Sequence, residues 1–166
     1  DFDRAQAGHQ NAHRLSIAWS RIQPEPNRWN EHALDRYREM LVGLNDRKIE
    51  PMVTLHHFSE PLWVAELGGG ENEAIVDLFT DFVWKSVEAL KPYCHMWVTI
   101  NLPNVFVYSA YLEGVFPPGK QDLKAAYQVM HNMVKAHAQA YAVIHELQPE
   151  ARVGTAIQYR GFKPAT

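Results

Sequence analysis

Four short apolar-rich runs, at about residues 12–19, 51–55, 96–100 and 152–157, alternate with three longer segments whose apolar residues recur every three or four positions. Runs of that length suit buried strands, and the three-and-four spacing suits helices with one apolar face. Strands separated each time by a full helix cannot pair as hairpins, because the connection is long enough to be the crossover that parallel neighbours need. The chain is therefore expected to be α/β, with four parallel strands and three complete intervening helices.

The first ten residues read as the end of a helix. In the strand from Ala12 to about Trp19, Leu15 and Ile17 alternate with Arg14 and Ser16, and Gln23-Pro24-Glu25-Pro26-Asn27 then turns the chain. Asn30 is placed to cap a helix carrying Leu34, Tyr37, Leu41 and Leu44, and Asn72 one carrying Ile75, Phe79, Phe82, Val83, Val87 and Leu90. A long helix from about Asp122 to Leu147 offers the stripe Leu123, Tyr127, Met130, Val134, His137, Tyr141 and Ile144, and Pro149 stops it. The strands Pro51–Leu55, Met96–Ile100 and Arg152–Ile157 complete the sheet. Leu15, Ile17, Val53, Leu55, Val98 and Ile100 are expected on its inner face, turned away from the helices.

With 166 residues, 46% hydrophobic and 21% charged, the chain fits one domain with a real core. A formal charge of −3 with no basic run gives no reason to expect nucleic acid or an anionic membrane as partner. The single cysteine, Cys94, allows no internal disulfide and reads as a buried structural thiol. No apolar run approaches membrane-spanning length, and Asp1-Phe2-Asp3-Arg4 lacks a signal pattern, so a soluble, cytoplasmic origin is the default. The start, without methionine and inside a helical pattern, suggests a piece of a longer sequence. No glycine-rich phosphate loop joins a strand to a helix, and adjacent His56 and His57 point to opposite sides of an extended chain. No cofactor and no metal are expected.

The third strand runs into a polar turn, Thr99-Ile100-Asn101-Leu102-Pro103-Asn104-Val105, the kind of strand end where α/β proteins place chemistry. This stretch resembles the Thr-(Phe/Ile)-Asn-Glu-Pro-Asn-Val signature of family 1 glycoside hydrolases, the β-glucosidase and β-galactosidase family. Leu102 stands where that signature has the glutamic acid that protonates the leaving group. The resemblance spans about Asn11 to Ala165 and implies one unit over residues 1–166, equivalent to strands two to five of a (β/α)8 TIM barrel, a half-barrel. Periodicity alone also fits an open doubly wound sheet.

Retaining β-glycosidases use two carboxyl groups roughly 5–5.5 Å apart, one as nucleophile and one as acid then base. In the family the nucleophile comes from a Thr/Ser-Glu-Asn-Gly turn, which these 166 residues do not contain. The resemblance assigns Asn101 to the glycone 2-hydroxyl and His57, in Thr54-Leu55-His56-His57-Phe58-Ser59-Glu60-Pro61, to the 3-hydroxyl. It assigns Arg14, in His13-Arg14-Leu15-Ser16, to the nucleophile carboxylate. Read as plain residues, Asn101 is a turn asparagine, His57 a loop histidine, and Arg14 either exposed or paired with another acid; Arg21 reads as a structural ion-pair former. Trp19, Trp63 and Trp97 are sugar platforms or core, and His137 is a satisfied core histidine. Glu60, Glu66 and Glu71 lie close to a mouth residue in sequence, but none occupies a family catalytic position. Lys48 and Gly70 stand where the family pattern has glycine and tryptophan.

The expected function is that of a β-glucosidase-type retaining hydrolase of β-glycosidic bonds, here a fragment or inactivated variant that keeps part of the glycone subsite for a β-glucoside or related sugar. Arg14, His57 and Asn101 should then converge at the C-terminal end of the sheet. The alternative is a non-catalytic half-barrel scaffold or interaction module, whose partner is the missing barrel half or a second copy of itself.

Overall fold

The computed structural model of the chain describes residues 1–159, 161 and 163–164. Ala165, the far end of the family resemblance, lies outside the described residues. The strands are β1 (Ala12–Ser16), β2 (Glu50–His56), β3 (Met96–Asn101) and β4 (Arg152–Ala156), all parallel and in the order β1-β2-β3-β4. The helices are α1 (Phe2–Ala7), α2 (Trp19–Ile22), α3 (Glu31–Asn45), α4 (Leu62–Glu66), α5 (Ile75–Leu90), α6 (Pro103–Val107) and α7 (Leu123–Leu147). A doubly wound sheet reverses its strand order to cover both faces. Here the order is sequential, so the right-handed crossovers put α3, α5 and α7 on one face, where α3 packs on α5 and α5 on α7. The sheet is therefore wound as a barrel wall.

Capping follows the polar residues that flank each helix. The Asn30 side chain accepts from the Ala33 N–H at 3.2 Å, and Asp122 accepts from the Lys124 and Ala125 N–H groups at 2.8 and 3.1 Å. Asn72 does not cap α5. It closes a turn two residues earlier, accepting from the Ala74 N–H at 3.0 Å and donating to the Leu67 carbonyl at 2.8 Å. β1 stops at Ser16, short of the expected Trp19, which opens α2, although the Ile17 N–H still reaches the Thr54 carbonyl at 3.0 Å.

Register assigns the faces. Arg14, Met52, Met96 and Arg152 form one row across the sheet, Leu15, Val53, Trp97 and Val153 the next, and Ser16, Thr54, Val98 and Gly154 the third. Rows alternate between faces. The middle row belongs to the core beneath the helices, with Ile17, Leu55 and Ile100. Of the six residues expected on the inner face, only Val98 lies outside that core cluster. The open face instead carries Arg14, Ser16, Met52, Met96 and Arg152. In a sheet with one helix-covered face, the longest apolar alternation faces the helices, and the shorter and polar residues face the barrel axis.

The core side of α3 and α5 is as the periodicity predicts, with Leu34, Leu41, Leu44, Phe82, Val83, Val87 and Leu90 buried. In α7 the predicted stripe is displaced. Its buried face is Ala125, Ala126, Val129, Asn132, Met133, Ala136, Ala140 and Ile144, while Leu123, Tyr127, Val134 and Tyr141 are exposed at 75, 77, 60 and 45%. Small residues let α7 lie close to α5, so the alanines, not the bulkier side chains, mark the packed side.

Candidate active site

The end of β3 is shaped by a register shift. Val98 pairs with Gly154 but Asn101 pairs with Ala156, so three steps on β3 face two on β4. Such a bulge re-aims the side chains that follow it. Strict alternation would give Asn101 the face of Thr99, whose hydroxyl bonds His137 Nδ1 of α7 at 2.8 Å. Instead Asn101 Oδ1 accepts from Arg14 Nη2 at 2.8 Å, on the side of the sheet that carries the Arg14 row.

Leu102 follows at φ 45° and ψ 56°, the left-handed region. That conformation costs a non-glycine residue about 1–2 kcal/mol and persists only where its surroundings hold it. Here the Leu102 N–H donates to the Ala156 carbonyl at 2.7 Å, its carbonyl accepts from the Phe106 N–H at 2.9 Å, and Pro103 occupies the first turn of α6. Asn104 donates to the Gln158 carbonyl at 2.9 Å, tying this turn to the chain beyond β4. The side chain presented at position 102 is a half-buried hydrocarbon with no proton to give.

β2 delivers the histidines. His57 is exposed, with Nδ1 2.7 Å from the Ser16 hydroxyl, and Phe58 turns away at φ 66° to stack on Phe106 with ring centroids 6.1 Å apart. Partial burial, then the neighbouring Arg14 guanidinium, holds His57 below the usual imidazole range, which favours the neutral ring. His56 goes the other way, its ring edge-on to Phe79 and Phe106 at 6.1 and 5.7 Å, and burial pushes it down to about 4. No group of three or more His, Cys, Asp or Glu side chains is placed to hold a metal ion among the described residues.

The structure thus brings Arg14, Ser16, His57 and Asn101 together at the C-terminal end of the strands, beside the backbone of Leu102. Arg14 is exposed and bonded to a neutral amide. Arg21 is exposed and takes part in none of the ion pairs among the described residues. Ser16 was missed in sequence. Its signal was its place two residues beyond Arg14 on the same strand face.

The sequence profile described as Glycosyl hydrolase family 1 matches residues 3–166. The chain belongs to this family. It is 33% identical over 156 residues to Beta-glucosidase A of Thermotoga maritima, covering 93% of this chain and 35% of that protein. It is 34% identical to the human Lactase/phlorizin hydrolase, over 93% of this chain and 8% of that protein. Among solved structures, the Thermotoga maritima β-glucosidase in complex with castanospermine superposes with a TM-score of 0.96 at 32% identity, covering 99% of this chain and 38% of that one. The β-glycosidase from Pyrococcus horikoshii gives 0.87 at 37% identity, covering 93% and 36%. The chain spans little more than a third of the length of the first curated relatives it matches. Its four parallel strands and helices form an α/β half-barrel of the family 1 fold.

Within this family 1 half-barrel the tryptophans are packing residues. Trp19 is buried, stacked on Phe82 at 5.1 Å with its Nε1–H on Gln23 Oε1 at 2.8 Å, and Trp97 is buried with Nε1–H on Gln148 Oε1 at 3.0 Å. Trp63 is half-buried and donates to the Gln23 carbonyl at 3.1 Å. His137 is half-buried and satisfied by Thr99. Cys94 is buried, and burial pushes its thiol up to about 11. Among the acids, Glu66 is exposed, Glu71 pairs with Lys120, and Glu60 is half-buried with its carboxyl pushed up to about 7 by burial.

Proposed function

We propose that this chain carries the glycone-binding portion of a β-glucoside-hydrolysing site and does not turn over substrate by itself. The observation that supports this reading is the convergence of Arg14, Ser16, His57 and Asn101 beside residue 102. Arg14 fixes the Asn101 amide by taking its oxygen, leaving the amide nitrogen to donate to a sugar hydroxyl. Ser16 holds one nitrogen of a neutral His57, leaving the other for a second hydroxyl. Leucine at position 102 supplies no general acid, a loss that typically forfeits ~10²–10⁴-fold in rate. The Thr/Ser-Glu-Asn-Gly turn that carries the family nucleophile is not among these 166 residues, so in this reading they do not form a glycosyl-enzyme intermediate by themselves. Metal and cofactor play no part in this reading. It takes the cytoplasm as the compartment, supported by 34% identity to a cytosolic β-glucosidase of Cavia porcellus.

The test uses aryl β-glucosides with good leaving groups, which need little acid assistance. No turnover above background is expected, and Leu102→Glu should not create it. Turnover that disappears in Glu60→Gln would overturn the reading. Binding is checked separately, by titrating a non-hydrolysable β-glucoside analogue while following the His57 ring resonances; Asn101→Ala should weaken that response.

A different observation favours a second reading, a half-barrel module that associates with a second copy or with the remainder of a barrel. The exposed apolar stripe on α7 and the outer edges of β1 and β4 are surfaces that soluble chains ordinarily cover.

A further inference from the structure

A cleft of about 470 Å³ opens behind the loop at Gly68 and Gly69, walled by Phe58, Phe106 and Tyr111, with Glu60 and His56 lining it. Neither Arg14, His57, Asn101 nor Leu102 reaches it. Its polar groups are unspent. Glu60 makes no hydrogen bond or ion pair among the described residues, and its Oε1 fills the place where a Cβ on Gly69 would stand, so glycine at φ 55° is what admits the carboxyl here. His56 Nδ1 is buried and has no partner. The Tyr111 hydroxyl lies 3.6 Å from where a Cβ on Gly70 would be, on the next residue of the same loop. The nearby cation, Lys120, is already paired with Glu71.

A half-buried carboxylate without a counter-ion, set beside aromatic walls, has one complement. An anion would meet Glu60 and Glu71; a neutral ligand would leave the Glu60 charge uncompensated. An ammonium group supplies both the charge and the donors, and an alkyl tail suits the Phe58 and Phe106 faces. We propose that this cleft binds a small primary alkylammonium ion, with Glu60 as counter-ion. Other titratable groups that face Glu60 are Tyr111, whose phenol Glu60 helps hold protonated, and the Glu71–Lys120 pair.

The probe is n-butylamine, cationic at pH 8.5, titrated into the intact chain while the backbone amide resonances of Gly68, Gly69 and Tyr111 are followed; n-butanol is the uncharged control. Saturable shifts at these positions with the amine, and at least tenfold weaker binding of the alcohol, are expected. Because Glu60 takes up a proton near pH 7, amine affinity should fall at least tenfold at pH 5.5. Glu60→Gln, which keeps the shape and removes the charge, should abolish the response while the amide spectrum stays dispersed. Equal binding of amine and alcohol, an unchanged affinity in Glu60→Gln, or no saturable shift with tens of millimolar amine would each overturn the proposal.

Discussion

Arg14 and Asn101, 87 residues apart in sequence, are joined by a 2.8 Å hydrogen bond across the open face of the sheet, from β1 over β2 to the end of β3. The bond depends on the bulge in β3, since without it Asn101 would turn toward α7. Asn101 is buried at 2% exposure, whereas Arg14 keeps access to solvent. Removing either partner should therefore cost about 1–2 kcal/mol, less than for a fully buried charge. A double-mutant cycle with Arg14→Met and Asn101→Ala, measured by urea denaturation, should give a coupling of about 1 kcal/mol. Additive effects would show that the two side chains are neighbours without an energetic bond.

Lys48 ends the turn after α3 at φ 58°, with its N–H on the Asn45 carbonyl at 2.9 Å and the Ile49 N–H reaching back to Leu44 at 3.0 Å. The geometry of a glycine helix stop is kept by a residue with a Cβ. Because Lys48 is exposed and makes no ion pair among the described residues, little is lost with its side chain. Lys48→Gly should raise stability by up to about 1 kcal/mol, or roughly 2–4 °C in melting temperature. A lower melting temperature would mean that the added freedom of the unfolded chain outweighs the relieved strain.

Glu60 and His56 impose opposite pH dependences. Glu60 is raised from 4.5 to about 7, so the folded state holds its proton more tightly and stability falls as pH rises from 4.5 to 7. His56 is lowered from 6.5 to about 4, so its contribution is present above 6.5 and is lost as pH falls from 6.5 to 4. Between 4.5 and 6.5 the two slopes oppose each other. Glu60→Gln removes one of them, and its unfolding free energy should climb across this window by about 1.4 kcal/mol per pH unit relative to the parent. Denaturant midpoints at half-unit pH steps check this; parallel pH profiles for parent and variant would refute it.

Much of this was legible because it is local. The four strands, the core stripes of α3 and α5, and the cap at Asn30 follow from spacing and side-chain chemistry within a few residues. The turn from Thr99 to Val105 carried the family. Face assignment was not local. Which side of the sheet Leu15 and Val53 take is decided by where the helices pack, and the sequence of one strand alternates identically in either case. The bulge at the end of β3 is invisible in sequence because it is a relation between two strands. Glu60 was noticed but not understood, because its burial comes from Gly69 and from the walls that Phe106 of α6 and Tyr111 provide.

The displaced stripe of α7 carries the last prediction. Leu123, Tyr127, Val134 and Tyr141 are exposed along this helix, and the exposed Ile157 and Tyr159 follow β4 beyond it. Covering such side chains is favourable by about 25 cal/mol per Å² of apolar surface removed from water, a gain within reach of any second apolar face. The isolated chain should therefore self-associate in the micromolar range, as sedimentation velocity over a hundredfold concentration span would show. Tyr127→Lys with Val134→Lys should return it to monomer and leave its denaturation midpoint nearly unchanged, since both sites are exposed. Ala140→Leu should do the reverse, costing about 1–3 kcal/mol by overpacking the face against α5 without altering association. A parent chain that stays monomeric over the whole span would show that this stripe tolerates water, and that the half-barrel's open face and edges are stable without a partner.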